Sequence, residues 1–213
     1  DGVANAIMDT RSVALDMGDN GTLTFTGDGG SSVLGMIDDT TPTAGEESWD
    51  DVTGADAIVG GTGGLNMFHY ANSSLMDGIE LSASYTPSNG ATEVESSMDY
   101  GIKYTGVDGL TIGAATGEDN TVAASEDRTT VYVKYAMDAI SVGYSASEAD
   151  SETANADKDF TAIGISYAVS DDMSVSLNTS TIEYENSTLS DQEATGVSVS
   201  YTMGSMTLSA NMN

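Results

Sequence analysis

The stretch Ile79-Glu80-Leu81-Ser82-Ala83-Ser84-Tyr85 alternates apolar and polar residues without a break. In an extended chain successive side chains point to opposite faces, so Ile79, Leu81, Ala83 and Tyr85 share one face and Glu80, Ser82 and Ser84 the other. A helix would scatter this pattern around its axis, whereas a strand separates it. The same grammar recurs in Tyr100-Gly101-Ile102-Lys103-Tyr104, Leu110-Thr111-Ile112-Gly113-Ala114, Val131-Tyr132-Val133-Lys134-Tyr135, Ile140-Ser141-Val142-Gly143-Tyr144, Ile163-Gly164-Ile165-Ser166-Tyr167, Met173-Ser174-Val175-Ser176-Leu177, Val197-Ser198-Val199-Ser200-Tyr201 and Met206-Thr207-Leu208-Ser209-Ala210. Val13-Ala14-Leu15-Asp16-Met17 and Leu23-Thr24-Phe25-Thr26 fit it less well.

Between these strands the connections alternate in length. Tight turns at Gly106-Val107-Asp108-Gly109, Met137-Asp138, Ser170-Asp171-Asp172 and Gly204-Ser205 interleave with longer acidic loops near residues 87–97, 117–127, 147–158 and 184–193. Short then long, repeated, describes an antiparallel up-and-down meander. One all-β domain over residues 1–213 accommodates it.

The chain carries 5 Lys and Arg against 34 Asp and Glu, a formal charge of −29. Such a field repels phosphate backbones and excludes nucleic-acid binding. Acidity on this scale also suits a disordered chain, but disorder carries no period of two. The absence of cysteine rules out disulfides and thiolate metal sites. No apolar run approaches the roughly 18 residues of a membrane-spanning helix, a fact silent about strands, whose alternation averages to neutral hydropathy.

The two faces differ in kind. One is Val, Ile, Leu, Met and Tyr, and the other is mostly Ser, Thr, Gly and Ala. A β-sandwich needs bulky residues on its inner face to fill a core about 10 Å thick, and the polar face is too small-sided for that. The pair of faces suits a transmembrane β-barrel with lipid outside and water inside, and Tyr85, Tyr104, Tyr144, Tyr167 and Tyr201 suit an interfacial aromatic girdle. The alternative is a secreted or surface-layer acidic β-rich adhesin, kept soluble by its charge.

Residues 28–64 break the rhythm. This long connection is dense in acid, at Asp38, Asp39, Glu46, Glu47, Asp50, Asp51 and Asp56, and holds the sole tryptophan, Trp49. Its apolar patches Val33-Leu34-Gly35-Met36-Ile37 and Ala55-Asp56-Ala57-Ile58-Val59 argue for a loop that packs on something, as a loop folded into a barrel does. With the apolar set outward, His69, Lys103, Arg128 and Lys134 point inward, together with Asp16, Glu80 and Asp99.

The run Leu65-Asn66-Met67-Phe68-His69-Tyr70-Ala71-Asn72-Ser73-Ser74, followed by Asp77-Gly78-Ile79-Glu80-Leu81-Ser82-Ala83-Ser84-Tyr85-Thr86-Pro87, resembles the strand–turn–strand after the constriction loop of Gram-negative general porins. Asp99-Tyr100-Gly101-Ile102-Lys103-Tyr104 and Thr130-Val131-Tyr132-Val133-Lys134-Tyr135-Ala136-Met137 resemble later strands of that family. The likeness covers most of the chain and rests on the order and spacing of these motifs.

It implies a sixteen-stranded trimeric barrel in the bacterial outer membrane, set among lipid and lipopolysaccharide, forming a water-filled channel for ions and small hydrophilic solutes. On this mapping residues 28–64 are the constriction loop, and the strands near 11–17 and 206–212 are the fourth and fifteenth, so about twelve of sixteen are expected. The family usually ends in an aromatic strand, whereas this sequence stops at Ala210-Asn211-Met212-Asn213, and a partial barrel is the expectation. The likeness makes Asp38, Asp39, Glu46, Glu47, Asp50, Asp51 and Asp56 the acidic constriction and His69, Lys103, Arg128 and Lys134 the lumenal basic wall. An arginine is common where His69 stands, and a histidine weakens that wall at neutral pH. Weak cation preference follows.

No enzyme is expected. A lone histidine leaves no His-based zinc cluster, no motif marks an activated serine, and the calcium patterns of EF-hands and Gly-Gly-x-Gly-x-Asp solenoids are missing. No cofactor is implied, and loop carboxylates bridging divalent ions to lipopolysaccharide are an unspecific possibility. The channel reading predicts extraction only with detergent and stepwise conductance in planar bilayers. Release into buffer without detergent contradicts it and favours the adhesin.

Overall fold

The computed structural model describes residues 11–37, 40–48, 63–64, 66–88, 95–120 and 125–213. The strands are β1 (Arg11–Asp16), β2 (Thr22–Asp28), β3 (Gly30–Ser31), β4 (Gly63–Gly64), β5 (Met67–Met76), β6 (Ile79–Thr86), β7 (Ser97–Tyr104) and β8 (Leu110–Asp119). They continue as β9 (Glu126–Met137), β10 (Ile140–Ser151), β11 (Lys158–Ser170), β12 (Met173–Tyr184), β13 (Gln192–Met203) and β14 (Met206–Met212). Twelve of them form one sheet in the order β1-β2-β5-β6-β7-β8-β9-β10-β11-β12-β13-β14, each antiparallel to its chain neighbour. The short β3–β4 pair stands apart within the long connection. The sheet is not closed: β1 and β14 are its two edges.

This is the up-and-down meander that the alternating turn lengths imply, with the expected number of strands. Burial is inverted relative to a water-soluble protein. Along β9, Arg128, Thr130 and Tyr132 are buried while Val131, Val133 and Tyr135 are exposed. On β11, Ile163 is 54% exposed and its neighbour Ala162 only 4%.

Register turns the exposed face into bands. Leu110, Tyr135, Val142, Ile165, Leu177 and Val197 are successive cross-strand partners. Ile112, Val133, Tyr144 and Ile163 form the next row. Toward the long-loop end come threonines, with Thr116 and Thr129 hydroxyls 3.0 Å apart. Thr129 is also the partner of Glu148, so that row continues into carboxylates as Glu148–Asp159–Glu183, and the last row is Glu118–Asp127–Asp150. Apolar rows graded into polar ones along the strand axis match a lipid layer graded into water.

Two expectations need adjustment. The acidic segments near 117–127 and 147–158 are shorter as loops than their composition suggests, since β8 runs to Asp119, β9 begins at Glu126 and β10 continues to Ser151. Ladder hydrogen bonds are made by backbone groups, so pairing persists after side-chain alternation has ended. The five tyrosines of the expected girdle lie on the outer face, but not as one belt: Tyr104, Tyr167 and Tyr201 stand near the tight turns, Tyr85 near the long-loop end, and Tyr144 mid-sheet opposite Val133 and Ile163.

An exposed Ile on a water-soluble protein tolerates Arg to within ~0.5 kcal/mol. Against lipid, Ile163→Arg is expected to destabilise by about 2–4 kcal/mol. Urea unfolding in lipid vesicles measures the difference, and a neutral result contradicts a lipid-facing surface.

Candidate functional site

The inner face is built from small residues because something else must lie on it. Gly143, Gly164, Asn178 and Gly196 are successive cross-strand partners on β10, β11, β12 and β13, a shallow trough across the sheet. The long connection after β2 runs along it. A Cβ on Gly143 would meet Pro42 Cδ at 2.5 Å, one on Gly164 would meet the Pro42 carbonyl at 2.8 Å, and one on Gly196 would meet Ser48 Cβ at 3.1 Å. These glycines serve close backbone approach.

Wall side chains meet many of the loop's backbone polar groups. Val33 N–H donates to Ser84 Oγ (3.0 Å), and Leu34 N–H donates to Asp99 Oδ2 (3.3 Å), which also accepts from the Ser84 hydroxyl (3.3 Å). Farther along, Ala44 N–H donates to Ser176 Oγ (2.8 Å), Asn178 Nδ2 donates to the Pro42 carbonyl (3.0 Å), and Ser198 Oγ donates to the Glu46 carbonyl (3.1 Å). Glu46 N–H reaches Asn211 Oδ1 at 3.3 Å, and the Ser48 and Ser180 hydroxyls are 3.3 Å apart. The connection thus crosses from β6 and β7 to β14. Each such bond contributes about 1 kcal/mol net, and an unmet buried group costs more.

Apolar contacts add to this strap. Val33 and Leu34 are buried against Ala115, with Ile37 beside them, so the patch Val33–Ile37 does pack on the wall. The second patch, residues 55–59, lies outside the described residues.

The charges fall into separate settings. Lys103 Nζ is 2.6 Å from Oε1 of Glu80, its cross-strand partner, and both side chains remain partly exposed. His69 borders the same cavity, of about 160 Å³, between the loop's turn at Leu34–Met36 and the wall. Lys134 lies opposite Thr111 and Gly143 and faces, with Thr43 and Glu47 of the loop, a second space between loop and wall. Arg128 points inward as its parity requires but is buried and clamped, 3.1 Å from Asp119 and 2.9 Å from Glu126. The wall therefore brings His69 and Lys103 to one cavity and leaves Arg128 and Lys134 elsewhere.

On the loop side, Glu46 is exposed and Glu47 buried. Asp38, Asp39, Asp50, Asp51 and Asp56 lie outside the described residues. Among the described residues no three His, Asp or Glu side chains are grouped to hold a metal ion. Phe160 and Ile182, on the inner face with Ala149 and Ala162, form an apolar cluster that the small-and-polar description of this face missed.

An antiparallel meander with apolar residues outside, hydroxyls and glycines inside, and a loop strapped across the inner face is the architecture of an outer-membrane channel protein. The sequence model of the Gram-negative porin family matches residues 3–213, and the chain belongs to that family, whose members reside in the bacterial outer membrane. Among solved structures it is similar to the anion-selective porin from Comamonas acidovorans, with TM-score 0.70 and 15% identity, covering 95% of this chain and 65% of that one. It is also similar to OmpT of Vibrio cholerae in a loop L8 deletion form (TM-score 0.68, 17% identity, 95% and 72% covered). A third likeness is to Salmonella typhi OmpF in complex with daunomycin (TM-score 0.67, 13% identity, 91% and 66% covered). The chain thus spans 65–72% of the length of these porins. None of the curated proteins matches it in sequence.

Gly143→Val places bulk where Pro42 lies while leaving the strand's hydrogen bonds intact. The loop is expected to lift: protease cleavage within residues 38–62 rises at least severalfold, while the heat stability of the detergent-extracted protein stays near that of the parent. Unchanged cleavage contradicts the close approach.

Proposed function

We propose that the protein forms a water-filled outer-membrane channel for passive diffusion of ions and small hydrophilic solutes, assembled as a trimer, with residues 28–64 as its constriction loop. The observation that carries this reading is the strap: the connection after β2 is hydrogen-bonded along a polar inner face, the position from which a loop would narrow a passage. OmpT of Vibrio cholerae has also been solved in a trimer form, in keeping with the assembly.

The preferred ion is a cation, weakly. Of the inner-face cations, Lys103 and Arg128 are matched by carboxylates, Glu80 for the first and Asp119 and Glu126 for the second, and Lys134 shares its space with Glu47 of the loop, so the wall's positive field is partly compensated. The sequence of the loop carries Asp38, Asp39, Glu46, Glu47, Asp50, Asp51 and Asp56. Side chains facing each other across a narrow aqueous section set the field an ion must cross. This preference is opposite in sign to that of the anion-selective porin from Comamonas acidovorans.

The reversal potential across a bilayer in a KCl gradient should take the sign of a cation-preferring pore. Neutralising Asp38, Asp39, Glu46, Glu47, Asp50 and Asp51 together to Asn or Gln should bring the cation-to-anion permeability ratio down severalfold. An unchanged ratio removes the loop from the constriction.

A further inference from the structure

The cavity beneath the loop's first turn combines three chemistries that a general diffusion pore does not require in one place. Val33, Met36 and Ile37 present an apolar surface from the loop side. Glu80, Lys103 and Tyr132 present an anion, a cation and a phenol from the wall side. The volume is about 160 Å³, enough for a solute of a few heavy atoms.

We propose that this cavity is a weak binding subsite for small zwitterionic solutes with a short apolar side chain, the amino-acid class. The inference rests on the channel reading above and adds a preferred solute to it. Glu80 and Lys103 are cross-strand partners 2.6 Å apart, so the two charges lie side by side. A zwitterion laid against them places its ammonium at Glu80 and its carboxylate at Lys103, and all four charges then have an opposite neighbour. A simple cation satisfies Glu80 but meets Lys103, and a simple anion does the reverse. The apolar side chain turns away toward Val33, Met36 and Ile37, where burial of its methyl groups favours it over glycine or a sugar.

The pair is open to this exchange because its side chains are 42% and 35% exposed. An ion pair so exposed is worth little by itself, so a solute displaces it cheaply. The same two residues also border the space beside Asp77, Gly78 and Gly106 at the tight-turn end of the wall. They therefore stand between the cavity under the loop and that end of the passage. Binding there is weak, as passage demands: a site must hold a solute enough to admit it and loosely enough to release it.

Protein extracted in detergent from outer membranes and reconstituted in planar bilayers tests the proposal, with KCl current as the readout. L-valine is expected to reduce the current saturably, with half effect in the millimolar range. L-valinol, isovalerate and isovaleramide, which keep the skeleton but lack one or both charges, should need at least tenfold higher concentration. Glu80→Gln with Lys103→Met should abolish saturation by L-valine, while the exchanged pair Glu80→Lys with Lys103→Glu should retain it. Equal potency of the four solutes overturns the subsite without touching the channel and needs no variant. Saturation that survives in the Gln–Met protein overturns it too, whereas the absence of any KCl current removes the channel reading and the subsite with it.

Discussion

Lipid cannot hydrogen-bond a peptide group, and the rest of this structure depends on that fact. Strands that cross such a medium must pair on both sides, so twelve of them run as neighbours in chain order, and the ten between β1 and β14 each take hydrogen bonds from the one before and the one after. The same constraint reaches β1 and β14, whose outer edges require strand partners of their own wherever they stand in lipid. Side chains are then free to answer the solvent on each face, which is why Ile163 is exposed and Ser145 buried in one sheet. Inverted burial is a consequence of pairing, because no hydrophobic core is needed to hold the strands together.

What lies inside must obey the rule in its turn. A connection laid across the inner face brings backbone N–H and C=O groups into a crowded, half-dry place, and each needs a partner. Ser84, Asp99, Ser176, Asn178 and Ser198 supply them, each from an inward strand position. The glycines of the trough and the hydroxyls around it are two halves of one device: glycine lets the loop come close, and short polar side chains bond it once there. A wall of larger residues would hold the loop off, and a wall of alanines would leave its carbonyls unmet.

Much of this was legible in the sequence, and the boundary of legibility has physical causes. A period of two belongs to a single strand, so most of the long strands, the face assignment of His69, Lys103, Arg128 and Lys134, and the alternation of turns could be read locally, whereas β5, which lacks the alternation, is marked only by the family resemblance. Register is a relation between strands, and nothing in Gly143 or Gly164 alone says that they stand side by side beneath Pro42. The same gap hid the clamp on Arg128, which needs Asp119 from the neighbouring strand. Phe160 and Ile182 failed differently: they sit where strands outlast the membrane's alternation, and an apolar residue there carries no label of face. The acidic tracts around Glu118 and Glu148 looked like loop because their composition is loop-like, although backbone pairing is indifferent to charge.

That indifference has a limit, and the placement of the acid reflects it. Like charges directly opposite in an antiparallel pair are destabilising, by up to ~1 kcal/mol each. Even so, Glu118, Asp127 and Asp150 stand in one row and Glu148, Asp159 and Glu183 in the next. All six are exposed and lie at the long-loop end, beyond the apolar rows, with Glu148 level with Thr129 and Thr116. There water and salt screen them over about 8–10 Å, which in lipid they would not. Lys103 and Arg128 on the inner wall do not offset them, since both are engaged with carboxylates on their own face. A chain of charge −29 can therefore cross an apolar layer because its strands sort the charge by depth and by face. The carboxylates stand outside where the lipid ends, or inside where the water is, and the rows between are left to Ile, Val, Leu and Tyr.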